Sequence, residues 1–443
     1  MPERSTRRTT RREALKQTLV GAAGMMLAGR AGVRAAKAPP AKALKARAKS
    51  VIQIWMWGGP SQIDTFDPKP AAGYDYTGPL KNVIKTNVDG IVIGESLPLL
   101  AKQADKYAIL RSMTHGINAH ETASYLVQTG HEPGRHVFPC IGAVVSLCKG
   151  YGKGYKGIVP PYIVLTQPQG RFSEAGFLGP KYKPFATGGD PGRDPFAVEG
   201  IVAKGLTDQR QRARRNLLGS LDTLGKAVPK NQSFRQFDQA SKEAYDLMFG
   251  DARKLFDLTQ EKDTLREAYG RNTFGQSCLM ARRLVEHGVP YVTINYKGWD
   301  THKQHFETMR RKLPEMDQGM ATLLKDLSDH GLLDTTIVWW GGEFGRGPKV
   351  QWNPPWNGGR SHYGQCFSCV VAGGGFKGGT VVGASNEYAA EVAERPIYPQ
   401  NLLASIYELL GIDPDARMPG RHGLDVNIMD GANKGAGRLR EIM

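Results

Sequence analysis

One stretch limits what this chain can fold into more than any other: residues 289–302, Val-Pro-Tyr-Val-Thr-Ile-Asn-Tyr-Lys-Gly-Trp-Asp-Thr-His. Its first half is apolar and β-branched, which is typical of a parallel strand buried on both faces. Asp300 and His302 come just after the strand-ending glycine. Ligands of open α/β sheets bind outside the carboxyl ends of the strands, and an Asp and a His two residues apart can face one metal ion. Taken alone, the stretch is equally compatible with a turn and a surface histidine.

Other apolar runs in the chain also end in polar residues. Residues 51–57, 107–113 and 336–340 are typical of strands, and helical segments separate them. This alternation predicts a doubly wound α/β fold with a mostly parallel sheet and helices on both faces. The polar residues at the predicted strand ends are Asp64, His115, His120, Glu343, Arg346 and His362. Carboxylates and imidazoles in one place suit a divalent metal, and an arginine suits an oxyanion.

Helical patterns fill the rest of the chain. Residues 121–129 form a predicted helix closed by Gly130, and the start of such a helix favours an anion. An amphipathic helix is predicted at 312–330 and a closing helix at 401–410. Between 195 and 287 the sequence becomes polar and helical, which predicts an insert on the sheet. Its predicted helices are 208–224, 234–246, 252–258 and 278–286.

The positive charge of the chain lies mostly in its first fifty residues. The net charge is +17, and residues 1–50 hold thirteen Lys or Arg against two Glu. The body is therefore only modestly basic, so no nucleic-acid partner is expected. An Arg pair at 11–12, a short apolar stretch at 19–28 and an Ala-rich stretch near 35–38 resemble a twin-arginine signal peptide. A basic disordered arm is the alternative. No run is apolar for the roughly 20 residues of a membrane span.

Taken together, the motifs resemble an uncharacterised family of exported bacterial proteins, domain of unknown function 1501, in the alkaline phosphatase-like superfamily with the sulfatases. The matching segments are 57–61, 64–68, 113–116, 298–302, 342–346 and 359–362. The resemblance implies an alkaline phosphatase-like sandwich at 51–430. It would follow a signal peptide at 1–38 and a linker at 39–50, with a tail at 431–443.

The resemblance also implies roles for the candidate residues. Asp64, Asp300, His302, Glu343 and His362 are expected to hold a divalent metal, with zinc, calcium and magnesium left open. His120, His115 and Arg346 are expected at the catalytic position. Two features depart from the superfamily pattern: Glu343-Phe344 stands where an Asp-His or Asp-Asn pair is usual, and His120 stands where a nucleophilic Ser, Thr or Cys is expected. The ordinary pKa of imidazole, near neutrality, suits His120 as a ligand or a general base.

Three classes of function follow from these observations. The first is an exported, metal-dependent hydrolase of phosphate or sulfate esters, acting on a small anionic ester or on a sulfated or phosphorylated glycan. The second is a catalytically degenerate relative that binds metal or an anionic glycan in the cell envelope. The third is a structural protein that keeps only the fold. Because buried ionisable groups are costly without a partner, their presence at strand ends argues against the third class. The sequence leaves the substrate and the oligomeric state open.

Overall fold

The computed structural model describes residues 44–151, 153–168, 174–194, 252–418 and 426–443, and four isolated positions between 196 and 217. The predicted signal peptide, the predicted helix at 234–246 and all but two residues of the one at 208–224 lie outside this description. No helix within the described residues is long and apolar enough to cross a membrane.

The strands follow the predicted apolar runs closely. Tyr107–Met113 has the bounds expected from its sequence, and the first strand ends one residue earlier than its apolar run. In chain order the strands are β1 (Ser50–Met56), β2 (Val83–Lys85), β3 (Val92–Gly94), β4 (Tyr107–Met113), β5 (Tyr162–Leu165), β6 (Phe185–Ala186), β7 (Tyr291–Tyr296), β8 (Thr336–Gly341), β9 (Gly345–Arg346), β10 (His362–Tyr363), β11 (Phe367–Ala372), β12 (Thr380–Val382), β13 (Ala384–Ser385) and β14 (Val392–Glu394).

Eight of these strands form the main sheet, in the order β12-β4-β11-β8-β1-β7-β5-β6. β1 lies at its centre and pairs in parallel with both β7 and β8. β11 alone runs antiparallel to its neighbours, β4 and β8. The predicted α/β class with a mostly parallel sheet is therefore confirmed. Because β11 is reversed, its amino end lies at the same edge of the sheet as the carboxyl ends of β1, β4, β7 and β8.

The α-helices cover both faces of this sheet. They are α1 (Tyr74–Thr77), α2 (Pro98–Ala101), α3 (His120–Thr129), α4 (Ile141–Val145), α5 (Ala252–Phe256), α6 (Asp263–Tyr269), α7 (Thr273–Glu286), α8 (His305–Asp329) and α9 (Pro399–Leu409). Short 3₁₀ turns occupy Pro70–Ala72, Ala104–Lys106, Gly176–Leu178, Pro180–Tyr182, Leu258–Gln260, Leu333–Thr335 and Arg440–Ile442, and a π turn occupies Ser146–Gly150. The prediction places the start of α8 too late: the helix begins at His305 and carries Pro314 in its interior.

The side chains of β1 show how the sheet is buried. Ile52, Ile54 and Met56 pack into the core formed with α7 and α8, whereas Val51 and Trp55 pack into the core formed with α4 and α9. This alternation follows from the period of two residues in a strand. Since all seven residues of β1 are buried, the hydrophobic effect fixes both faces of the sheet and hence the edge where its strands end.

Candidate metal centre

Asp300 is the centre of a cluster of ring nitrogens at the carboxyl edge of the sheet. Its Oδ1 lies 3.1 Å from Nε2 of His302 and 3.1 Å from Nε2 of His362. The two Nε2 atoms lie 2.8 Å from each other. His120 approaches the other carboxylate oxygen, with its Nε2 3.3 Å from Oδ2. Four predicted site residues thus come together from the ends of β4 and β7 and from the segment before β11.

The orientation of two of these rings is set by their second nitrogen. Nδ1 of His362 lies 2.8 Å from the carbonyl oxygen of Asn118. A carbonyl only accepts, so Nδ1 carries a hydrogen and Nε2 is the ring nitrogen that faces Asp300. Nδ1 of His120 lies 2.7 Å from Oε1 of Glu343. Metal-binding histidines commonly donate their other ring nitrogen to a carbonyl or a carboxylate in this way.

The spacing of the cluster suits an ion. Two ligand atoms on a tetrahedral ion with bonds of about 2.0 Å lie about 3.3 Å apart. The ligand atoms of His120, Asp300 and His362 all lie within 4.8 Å of one another. The side chain of Asp300 is 41% exposed, so the cluster opens to solvent. Asp300, His302 and His362, with His120 beside them, are the residues that could hold a metal.

Electrostatics at this position favour a positive charge. Burial would raise the pKa of Asp300, but hydrogen bonds from His120 and Arg346 and their charges hold that pKa well below its usual range. Hydrogen bonds to Asp300 and Glu343 raise the pKa of His120 to about 9. The free protein therefore holds His120 protonated at neutral pH, contrary to the ordinary imidazole value used for the sequence prediction. A proton or a cation can supply the charge that the two carboxylates attract.

Glu343 and Arg346 hold side chains of the cluster in position through hydrogen bonds. The carboxylate of Glu343 is fully buried, and its Oε1 accepts hydrogen bonds from the Gly58 backbone at 2.9 Å and from His120. Its Oε2 has no hydrogen-bond partner among the described residues. The guanidinium of Arg346, also fully buried, donates to Asp300 and to the carbonyl oxygens of Gly58, Gly59 and Arg360. These contacts leave little of Arg346 for a substrate oxyanion.

The side chains of His115 and Asp64 form hydrogen bonds outside the cluster. Nε2 of His115 lies 2.7 Å from the carbonyl oxygen of Glu343, and its Nδ1 accepts from the Ile117 backbone at 3.0 Å. Burial lowers the pKa of His115 to about 4, so the ring is neutral. The structure does not bring Asp64 to the cluster, because its carboxylate is fully buried against other side chains. These are Ser61 at 2.5 Å, His305 at 2.8 Å and Arg360 at 3.1 Å.

His305 and Arg360 are site-supporting residues that the sequence prediction misses. Each lies close to a predicted ligand in the sequence: His305 is three residues after His302, and Arg360 is two residues before His362. Arg360 donates to the carbonyl oxygens of Tyr76, Gly347 and Pro348 as well as to Asp64. Asp64 and Arg360 therefore form a buried ion pair that joins the loop after β1 to the segment that carries His362. Proximity to the motifs was the available sequence signal.

Aromatic rings form the walls around the histidines. Trp57, just after β1, stacks on His120 with ring centroids 5.9 Å apart. Phe344 lies against His120 and stacks on His362, with centroids 5.0 and 4.7 Å away. Because apolar walls lower the local dielectric, they strengthen electrostatic interactions at the cluster.

The sequence of this chain matches the family described as protein of unknown function DUF1501 over residues 48–439. The chain belongs to this family, as its motifs predict. The match covers the main sheet and every residue of the cluster. A comparison with curated proteins finds no match.

Solved structures give weaker likenesses. A sulfatase from Pseudoalteromonas sp., PsFucS1, is 14% identical, with 93% of this chain and 76% of the other covered and a TM-score of 0.35. A protein in the alkaline phosphatase superfamily from Vibrio parahaemolyticus is 11% identical, with 87% and 71% covered and a TM-score of 0.38. The lipoteichoic acid synthase LtaP from Listeria monocytogenes is 10% identical, with 88% and 78% covered and a TM-score of 0.34. Likeness at this level assigns no activity to this chain.

Proposed function

We propose that this protein is a metal-dependent hydrolase of phosphate or sulfate esters. One observation carries the proposal: two imidazole nitrogens and a carboxylate oxygen, from His302, His362 and Asp300, lie 2.8 to 3.1 Å from one another at a solvent-open position. Each of these three atoms carries a lone pair that a divalent cation accepts, and they are close enough together to serve as ligands of one ion. The class of substrate comes from the superfamily that the motifs resemble.

The donor set favours zinc over calcium or magnesium. Zinc accepts imidazole nitrogen together with carboxylate oxygen, and catalytic zinc sites commonly use three protein ligands and keep one position open. Calcium and magnesium prefer oxygen ligands throughout. Asp300, His302 and His362 supply two nitrogens and one oxygen, and exposure of the Asp300 side chain leaves room for a further ligand.

The residues of the chain then have separate roles in the reaction. A bound zinc ion would polarise the ester and lower the pKa of water. Glu343 fixes the ring of His120 through Nδ1, which leaves Nε2 as the atom that takes a proton from the attacking water. With a cation bound, Asp300 would no longer need the proton on Nε2 of His120 as its partner, and this nitrogen would be free to act as the base. The first turn of α3, which no side chain caps, offers N–H groups to the anionic part of the ester.

This scheme needs no covalent enzyme intermediate. The first residue of α3 is His120 rather than a hydroxyl or thiol residue, and water attacks the ester directly. The same observation favours a second function, binding of metal or an anionic glycan without turnover. The two functions differ in a single measurement, hydrolysis of an ester by zinc-loaded protein.

Export is the remaining part of the proposal. The Arg pair, the short apolar stretch and the Ala-rich stretch of residues 1–38 support a twin-arginine signal peptide and a periplasmic or extracellular location. Expression in a bacterial host with a functional twin-arginine pathway tests it. We expect amino-terminal sequencing of the mature protein to begin near residue 38, and a mature protein that retains Met1 contradicts export by this route.

Metal analysis followed by an ester panel tests the enzymatic part. We expect purified protein to hold about one zinc per chain and to hydrolyse phosphate or sulfate esters of 4-nitrophenol. The variant Asp300→Ala should lose zinc and turnover together, whereas His120→Ala should lose turnover and keep zinc. Full activity in His120→Ala assigns the base elsewhere. Zinc binding without turnover on any ester of the panel leaves the binding function.

A further inference from the structure

Three exposed aromatic side chains lie on two segments that are hydrogen-bonded to each other, and one of them contacts the candidate metal centre. Tyr74, Trp352 and Trp356 are 60%, 37% and 36% exposed, which is unusual for large apolar rings. The rings of Tyr74 and Trp352 stack with centroids 5.1 Å apart and only 7° between their planes. Trp352 in turn stacks on Phe306 at 5.7 Å. We call Tyr74, Trp352 and Trp356 the aromatic platform.

Trp356 is the platform residue that contacts the metal centre. The ring of Trp356 lies 6.0 Å from the ring of His302. The backbone N–H of Gln304 donates to the carbonyl oxygen of Trp356 at 3.3 Å, so the platform and the segment that carries His302 are bonded directly. A ligand that rests on Trp356 therefore also reaches the ring of a candidate metal ligand.

The loop that carries both tryptophans is held rigidly. Gln351 and the glycines at its far end pair as an antiparallel bridge: Gln351 N–H donates to Gly359 and Gly358 N–H donates back to Gln351, both at 2.9 Å. The Val350 N–H donates to the carbonyl oxygen of Asp75, next to Tyr74. These bonds fix the backbone that carries the rings before any ligand arrives, which lowers the entropy lost on binding.

The chemistry of the loop suits an uncharged ring with hydroxyl groups. Residues 350–359 contain no charged side chain. Asn353 and Asn357 are exposed, and within the described residues no hydrogen bond engages their side-chain amides. Flat aromatic faces carry partial negative charge that attracts the polarised C–H bonds of a sugar ring, and amides bind hydroxyl groups. Stacking rings and free amides are thus side by side.

We propose that the aromatic platform binds a pyranose ring, so that the ester presented to the metal centre is carried by a sugar. Hydrolysis of the bound ester rests on the proposed hydrolase function, whereas binding of the sugar does not depend on it. Tyr74 and Trp352 provide one stacked wall and Trp356 provides the ring nearest His302. An oligosaccharide with a phosphate or sulfate group is the occupant that fits both the uncharged loop and the cationic centre.

Packing alone does not account for these rings. An aromatic residue that only anchors its loop is covered by neighbours, as Phe306 is, whereas more than a third of each tryptophan faces solvent. A quaternary ammonium ligand would also use aromatic faces. It is disfavoured because the adjoining centre is built to hold a cation and would repel a second one.

Polysaccharides with matched controls test the proposal. Zinc-loaded protein is titrated with three sulfated polysaccharides (dextran sulfate, chondroitin sulfate and fucoidan), with unsulfated dextran, and with inorganic polyphosphate, which carries charge but no sugar ring. We expect at least one sulfated polysaccharide to bind tenfold or more tightly than polyphosphate. The double variant Trp352→Ala, Trp356→Ala should lose that preference, with an affinity about tenfold or more lower.

The control variants separate stacking from folding. Trp352→Phe with Trp356→Phe keeps a flat ring at each position and should retain most of the affinity. Ile158→Ala removes another exposed apolar side chain, 50% exposed, and should bind like the native protein. Zinc content and hydrolysis of 4-nitrophenyl esters are measured on the same preparations, which identifies any variant that has lost its fold.

Each outcome has a distinct meaning. The platform is refuted if the double alanine variant binds every polysaccharide like the native protein, if polyphosphate binds as tightly as all three sulfated polymers, or if choline chloride displaces the polymer. Hydrolysis of the small esters is independent of these outcomes, so its persistence leaves the hydrolase proposal intact. Tryptophan-dependent polysaccharide binding without hydrolysis of any ester supports the platform and refutes the hydrolase.

Discussion

Nε2 of His302 and Nε2 of His362 lie 2.8 Å apart, although sixty residues separate them in the chain. The contact arises because β7 delivers His302 at its carboxyl end and the reversed strand β11 places the segment before it at the same edge. Asp300 meets both nitrogens with one oxygen. A short contact between two imidazole nitrogens requires a shared proton or a shared ion.

Removal of the Asp300 charge tests the shared ion. We expect Asp300→Asn to lower zinc affinity about 100-fold or more, because an amide keeps the shape of the side chain but is a much poorer ligand than a carboxylate. Competition with a chromogenic chelator measures the affinity. Glu307→Gln, which changes an exposed carboxylate on the first turn of α8, is the control and should bind zinc normally. Equal affinities for both variants contradict a ligand role for Asp300.

Glu343 is expected to position His120 rather than to bind the ion. In Glu343→Gln the side-chain oxygen can still accept from Gly58 or His120, but the negative charge opposite Nδ1 is lost. Loss of such a supporting carboxylate typically lowers metal affinity or activity 10- to 100-fold. We expect kcat to fall within that range and the pH profile of kcat to shift, while zinc remains bound. Complete loss of zinc instead makes Glu343 a direct ligand.

Close backbone contact at Gly359 offers a test that changes no ligand side chain. A Cβ atom added there would lie 1.8 Å from the carbonyl oxygen of His302. Gly359→Ala must therefore move the segment that carries His302, and overpacking of this kind typically costs about 1–3 kcal/mol. We expect weaker zinc binding and a lower unfolding temperature. Gly134→Ala, where the nearest atom would be 3.9 Å away, is the matched control and should change neither.

The fold was more predictable than the site because strand formation leaves a local pattern. The apolar run of β4 and the polar residues after it are adjacent in the sequence, so both the strand and the position of His120 follow from it. The partners of Asp64 leave no such pattern: His305 lies 241 residues away, and only the tertiary fold brings them together. The partners of Arg346 could not be predicted for the same reason, since its hydrogen bonds go to loops from three parts of the chain.

The direction of β11 and the start of α8 show a second limit of prediction from the sequence. An apolar run has the same composition whichever way the strand runs, so the sequence does not reveal that β11 is antiparallel. α8 begins at His305 and continues through Pro314, although a proline in a helix interior is normally unfavourable. Tertiary packing of Phe306, Met309 and Leu313, all buried, stabilises the first turns despite the proline.

Asp317 gives a prediction for pH. It lies on α8, buried, and accepts hydrogen bonds from the backbone N–H groups of Leu99 and Leu100 at 2.9 and 2.7 Å, where α2 begins. Burial raises the pKa of Asp317 to about 6, although the two hydrogen bonds oppose the shift. The unfolded chain has an ordinary pKa of about 3.9. The folded protein thus binds the proton of Asp317 more tightly than the unfolded chain does. The stabilisation from this proton is present below about pH 4 and is lost as the pH rises through about 6.

Comparison with Asp317→Asn isolates this contribution, since the amide does not titrate. We expect the free energy of unfolding of the native protein, minus that of the variant, to fall by about 2–3 kcal/mol between pH 4 and pH 7. Urea unfolding of zinc-free protein at several pH values measures it. Asp329→Asn, which changes an exposed carboxylate paired with Lys325, should give a nearly constant difference. If the difference for Asp317 grows with pH instead, the hydrogen bonds from α2 outweigh burial and hold the carboxylate charged.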